Sequence, residues 1–304
     1  MALPSETVLR NLVARYARIL AAHGEAFEGA ELVTPTGEHF PDHFARDQKS
    51  LERLVTRAAS YTPLGEDVPL SFVLVEDETD DGHCNSGCSK PAASRIDGVQ
   101  RDGDGYRLAI PVTELGNATR LVCALARGLS SAVLAETGAE VSPREIGFES
   151  EIVAIASGFG VVLLEGSHVY TKSCGGPAIH RGTSLATEEI ASLLAFFCAR
   201  NDISARTARK HLGATQAEAF DEAWTFVQGN EAVVKKLREA PELLEGGAFS
   251  FETKRAGLFS RLFSSREAEV APVSKKQRDP EEERRLAEAR ALVEEELGTS
   301  PSRG

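Results

Sequence analysis

The sequence predicts an α+β protein, predominantly helical, with a small N-terminal sheet, a helical core behind it and a flexible charged tail. Three observations predict this. Apolar residues recur at three- and four-residue spacing over most of residues 1–253. Two short runs, Leu70-Ser71-Phe72-Val73-Leu74-Val75 and Tyr106-Arg107-Leu108-Ala109-Ile110-Pro111-Val112, read as strands. After residue 253 the composition turns to Gly, Ser, Pro and charge. These shifts divide the chain into a globular body, 1–253, a linker, 254–278, and a charged helix with a disordered end, 279–304. Within the body, 1–116 is the α+β part and 117–253 the helical part.

Ser5 caps a first helix carrying Val8, Leu9, Leu12, Val13, Tyr16, Ile19 and Leu20, and Gly24 ends it. A Pro- and Gly-turned segment, 31–37, precedes a second helix over 47–60. Pro111 places the second strand at a sheet end or edge. Between the strands, 76–105 is polar, Gly-rich and Cys-containing, and too long for a plain connection, so it is either functional or partly disordered. Asp102-Gly103-Asp104-Gly105 within it reads as a hairpin turn.

Residues 118–136 form an apolar helix closed by Gly138. Ser142-Pro143-Arg144-Glu145 combines a capping box with Pro at the first helical position. The helix it opens is expected to run to about Leu164. It is almost wholly apolar after Glu151, and Gly158 and Gly160 mark close packing or a kink. Further helices are expected over 187–200, after Ser204, from the capping box Thr215-Gln216-Ala217-Glu218, and over 230–239 up to Pro241. Asp279-Pro280 starts the tail helix, whose thin apolar set (Leu286, Ala289, Val293, Leu297) suits a solvated lone helix or a partner-binding one.

Composition narrows the function classes. With 42% hydrophobic and 26% charged residues among 304, the chain can bury a core of ordinary size. A net charge of -12 disfavours phosphate neutralisation over the whole surface, so no nucleic-acid partner is expected. No stretch approaches the ~20 apolar residues of a membrane span. Met1-Ala2-Leu3-Pro4-Ser5-Glu6 lacks the features of a signal peptide. The five Cys are odd in number and unevenly spread, which argues against a secreted disulfide framework. The expected compartment is cytoplasmic.

The sharpest local motif is His83-Cys84-Asn85-Ser86-Gly87-Cys88. Two Cys with three residues between them fit zinc spacing, and Gly87 allows the tight turn. Cys174, in the polar loop Tyr170-Thr171-Lys172-Ser173-Cys174-Gly175-Gly176-Pro177, can supply a third thiolate. Cys84, Cys88 and Cys174 with His83, or with His168 or His180, make a closed set of four, hence a structural zinc. The plainer alternative is free thiols in loops. Cys174 as a nucleophile, with His168 or His180 as base, is a further reading. Cys123 and Cys198 lie in apolar helices and read as buried small hydrophobes. His39 and His43 flank Pro41 and read as loop or surface residues.

Lys254-Arg255-Ala256-Gly257-Leu258-Phe259-Ser260-Arg261-Leu262-Phe263 is basic in an acidic chain. Leu258, Phe259, Leu262 and Phe263 share one helical face ringed by Lys254, Arg255, Arg261 and Arg266. The pattern suits a membrane-surface or partner-docking helix, or one whose apolar residues fold back onto the body.

Leu32-Val33-Thr34-Pro35-Thr36 with His39-Phe40-Pro41-Asp42, Leu121-Val122-Cys123-Ala124-Leu125-Ala126, Ser150-Glu151 through Ser157-Gly158-Phe159-Gly160, and Glu188-Glu189-Ile190-Ala191 through Phe196-Phe197 together resemble an uncharacterised bacterial family. That family is distantly related to the zinc metallopeptidases that carry His-Glu-x-x-His. The resemblance spans roughly residues 31–230 and implies a zincin-like helical core. Where the family's zinc helix has its motif, this chain reads Arg127-Gly128-Leu129-Ser130-Ser131. Both His and the Glu base are missing, and Arg127 brings a positive charge where a cation would sit. Glu151 stands near the place of a third ligand, and one carboxylate holds no catalytic zinc.

The resemblance therefore implies a pseudoenzyme. The expected function is a non-catalytic scaffold or interaction protein with a structural zinc and a protein partner. Rival readings are a thiol- or metal-dependent hydrolase built on the Cys174 loop, and an adaptor that touches membrane surfaces weakly through 254–266.

Overall fold

The computed structural model describes residues 3–64, 67–76, 99–139, 141–173, 176–180 and 182–252, with backbone alone over 170–173 and 176–180. The chain divides into two units, Met1–Thr253 and Lys254–Gly304, and the described residues all lie in the first. Among its described residues are nine α-helices and five strands, so the body is mixed α+β and mostly helical.

Helix α1 (Glu6–His23) starts where the Ser5 hydroxyl accepts the Val8 N–H, and its apolar face from Leu9 to Leu20 is buried. Helix α2 (Gln48–Ala59) opens on a reciprocal cap between Asp47 and Ser50. Strand β1 (Leu70–Val75) pairs in parallel with β3 (Gly105–Pro111), and β3 pairs antiparallel with β2 (Val99–Asp102), giving the order β1-β3-β2. The β2–β3 hairpin turns at Gly103, φ +62, a left-handed conformation that Gly adopts without a Cβ penalty. Strand β2 accounts for the last part of the 76–105 stretch. Tyr106, Leu108 and Ile110 alternate along β3 as its buried set.

Helix α3 (Ala118–Glu136), capped by Asn117, lies against this sheet: a Cβ added at Gly128 would sit 3.2 Å from Leu108. By length and composition α3 could cross a membrane, contrary to the expectation that no such stretch exists. Here it is a core helix, because α4 and the sheet cover its apolar faces.

The single helix expected from Ser142 to about Leu164 is two. Helix α4 (Ile146–Ala156) and α5 (Gly160–Gly166) are separated at Gly158, whose φ is +95. The break has a physical cause. The Val33 N–H donates to the Gly158 carbonyl at 3.0 Å, and a Cβ on Gly158 would lie 1.9 Å from the Glu31 carbonyl oxygen. Segment 31–33 thus passes against the glycine and interrupts the helix. Gly160 lets α5 approach Leu194 closely.

Strands β4 (Val169–Ser173) and β5 (Gly176–His180) form an antiparallel hairpin, where a polar loop was expected. Val169, Tyr170 and Thr171 have high strand propensity, and the Gly-Pro signal that reads as a turn falls at the start of the return strand. Helix α6 (Thr187–Arg200) is buried over most of its length and packs against α8 (Ala214–Gln228). The short α7 (Ala205–Arg209) is capped by Ser204, and α9 (Glu231–Glu239) stops before Pro241. Helix α8 starts at Ala214 with Gly213 at its N-cap position, so Thr215-Gln216-Ala217-Glu218 is no capping box. Gln216 Nε2 donates to the His168 carbonyl at 3.2 Å.

Candidate functional site

Two charged residues lie in the most apolar part of the body. Arg127, midway along α3, is 8% exposed, and Glu151, in α4, is fully buried. A buried charge persists only when paired and hydrogen-bonded. Helices α3 and α4 pack together, which brings Arg127 Nε to 2.9 Å from Glu151 Oε1.

Both residues also bond the strap that joins β5 to α6. Arg127 Nη1 donates to the Gly182 carbonyl at 3.1 Å. Glu151 Oε1 accepts the Ser184 N–H at 2.6 Å, and Oε2 accepts the Leu185 N–H at 2.7 Å. The Gly182 N–H donates to the Gly166 carbonyl at 2.9 Å. Backbone comes close here because side chains are absent: a Cβ on Gly166 would meet Cys123 Sγ at 2.7 Å, and one on Gly182 would meet the Gly166 carbonyl oxygen at 2.7 Å.

This arrangement fixes backbone rather than exposing a reactive group. The catalytic zinc of the metallopeptidases that the sequence distantly resembles does not fit it. The positions that the resemblance would give to two imidazoles carry a guanidinium and the Ser131 hydroxyl, and the latter donates to the Arg127 carbonyl. Both Glu151 oxygens already accept from N–H groups. A cation arriving there would face Arg127 instead of a ligand.

Among the described residues, no three His, Cys, Asp or Glu side chains stand close enough to hold a metal ion. His83, Cys84, Cys88 and Cys174 lie outside the described residues, as do Leu258, Phe259, Leu262 and Phe263. The pairing of β4 with β5 runs to Ser173 and Gly176. Cys123 and Cys198 are buried, as expected of small residues in apolar helices, and burial pushes the Cys198 thiol up to about 12.

Both His39 and His43 lie outside helices and strands, as loop residues, and His43 is exposed, but His39 is buried rather than on the surface. Its Nδ1 lies 3.0 Å from Thr34 Oγ1, and its carbonyl accepts the Tyr61 hydroxyl at 2.9 Å. These bonds hold the 31–40 segment as it passes Gly158.

The residues that sequence reasoning missed are Gly182, Ser184 and Leu185. The available signal was Glu151 itself, a carboxylate in an apolar helix, which demands donors from elsewhere in the chain. No family model, curated protein or solved structure matches this sequence.

Proposed function

We propose that this chain is a non-catalytic scaffold that acts by binding a protein partner, built on a zincin-like core without its catalytic metal. The observation that carries the reading is the buried Arg127–Glu151 pair. On the resemblance, Arg127 stands where the first zinc-gripping His would be and Glu151 near a third ligand, and Glu151 spends its oxygens on the 182–185 strap. A site so satisfied has neither a base for water nor a position open to substrate. A structural zinc on Cys84, Cys88, Cys174 and His83 belongs to the same reading.

The test uses a Cys84→Ser/Cys88→Ser chain, which removes the other candidate metal site. It is expected to hold no zinc and to hydrolyse no peptide with zinc added. Adding Arg127→His and Ser131→His places two imidazoles one turn apart opposite Glu151, and about one zinc per chain is then expected. Peptide hydrolysis by the unaltered chain, lost in Glu151→Gln, overturns the proposal. No metal gain in the His variant, with its fold intact, removes the zincin-like part.

A further inference from the structure

The three-stranded sheet has edges of opposite character. On β2, Gln100, Arg101 and Asp102 are exposed, and such residues keep an edge from pairing. Strand β1, Leu70-Ser71-Phe72-Val73-Leu74-Val75, has neither a charge nor a Pro along its length. Val73 and Leu74 are 42% and 44% exposed. Among the described residues no strand pairs with the outer edge of β1. An apolar edge without such protection is an open template for another strand.

A cleft of about 680 Å³ runs between β1 and α2. Leu51 and Val55 of α2, with Phe44 and Leu115, give it apolar walls. Its charges are mostly acidic. Asp47 and Glu52 line it, Arg46 is the one cation among its lining residues, and exposed Asp67 and Glu76 bracket β1. The exposed edge offers alternating N–H and C=O groups, which an extended backbone satisfies and a helix, already bonded internally, does not.

We infer that the outer edge of β1 accepts an extended peptide as an added strand in this cleft, with apolar side chains at alternate positions and Lys or Arg at its ends. This names the partner chemistry of the proposed scaffold and rests on that reading. Main-chain bonds along β1 supply affinity, the walls select the alternate apolar side chains, and the acidic surround selects the flanks.

The experiment measures fluorescence anisotropy of labelled peptides against the full-length chain. One peptide alternates Val and Thr between Lys flanks, and the other has the same centre between Glu flanks. The Lys-flanked peptide is expected to saturate and to bind more than about tenfold tighter than its counterpart. Val73→Lys, at an exposed position, is expected to weaken it by more than about tenfold while circular dichroism stays unchanged. Glu52→Lys should narrow the preference for basic flanks. Amide exchange along β1 should slow on binding.

Absence of saturable binding overturns the inference, as does binding that Val73→Lys leaves intact. A concentration-dependent dimer abolished by Val73→Lys also overturns it, because the edge then serves a second copy. Any of these with the chain still inactive on peptides leaves the non-catalytic reading standing. Cleavage of the bound peptide sinks that reading instead.

Discussion

Arg127 in α3 and Glu151 in α4 stand 24 positions apart in sequence and 2.9 Å apart in space, and together they hold the strap from Gly182 to Leu185. Removing either partner leaves a buried charge without compensation. Arg127→Met or Glu151→Leu is expected to cost about 3–5 kcal/mol in urea unfolding. The double variant Arg127→Met/Glu151→Leu should cost less than the two single losses added together. Single variants within about 0.5 kcal/mol of wild type would show that the pair carries no such burden.

Gly158 separates α4 from α5 at a φ that L side chains rarely adopt, with the Glu31 carbonyl against its Cα. Gly158→Ala should therefore destabilise by well over ~1 kcal/mol. Gly24→Ala is the control. Its backbone is right-handed helical and nothing lies within 4 Å of an added Cβ, so it should be neutral or gain about 0.4–1 kcal/mol. Equal effects in thermal melts would count against the 31–33 crossing.

Burial raises the Glu165 carboxyl above its ordinary value of 4.5, and the Gly213 N–H donated to it at 2.6 Å offsets only part of the effect. The folded state therefore holds this proton more tightly than the unfolded chain. Stability from this group falls as pH rises through the window just above 4.5, because the unfolded chain gives up the proton first. Glu165→Gln lacks that loss. The stability of the variant relative to wild type should rise across that window and then level off, and a difference flat with pH would contradict the assignment.

How far could these groups be foreseen? Arg127 and Glu151 both stand out in sequence as charges within apolar helices, but their pairing does not. It depends on the α3–α4 packing and on donors from a strap more than 30 positions further on. The β4–β5 hairpin was hidden because Gly and Pro at its return strand read as a loop. Helices α1, α2, α3 and α6, with strong apolar periodicity and local caps, were legible almost to their ends.

The zinc expected on Cys84, Cys88, Cys174 and His83 is tested by metal content of protein purified under reducing conditions. About one zinc per chain, absent in Cys84→Ser together with a fall in melting temperature, is the expected result. Metal-free wild type would remove the cluster.

The basic segment at 254–266 is tested by vesicle flotation. Weak binding to anionic vesicles that falls with salt and is lost in Phe259→Ser/Phe263→Ser is expected of a surface-touching helix. Binding that survives the substitutions would assign it to charge alone.

The sequence by itself determined the helical character of the body, the strand Leu70–Val75 and, to within a residue at each end, the strand Gly105–Pro111, the caps at Ser5 and Ser204, and the absence of a His-Glu-x-x-His motif. These are local properties, set by periodicity, capping chemistry and residue identity within a few turns. Only the tertiary structure decided that Gly158 breaks a helix, that Arg127 and Glu151 satisfy each other, and that β1 is left with an apolar outer edge. Each of those depends on which distant backbone comes to lie beside the residue, and local propensity carries no record of that neighbour.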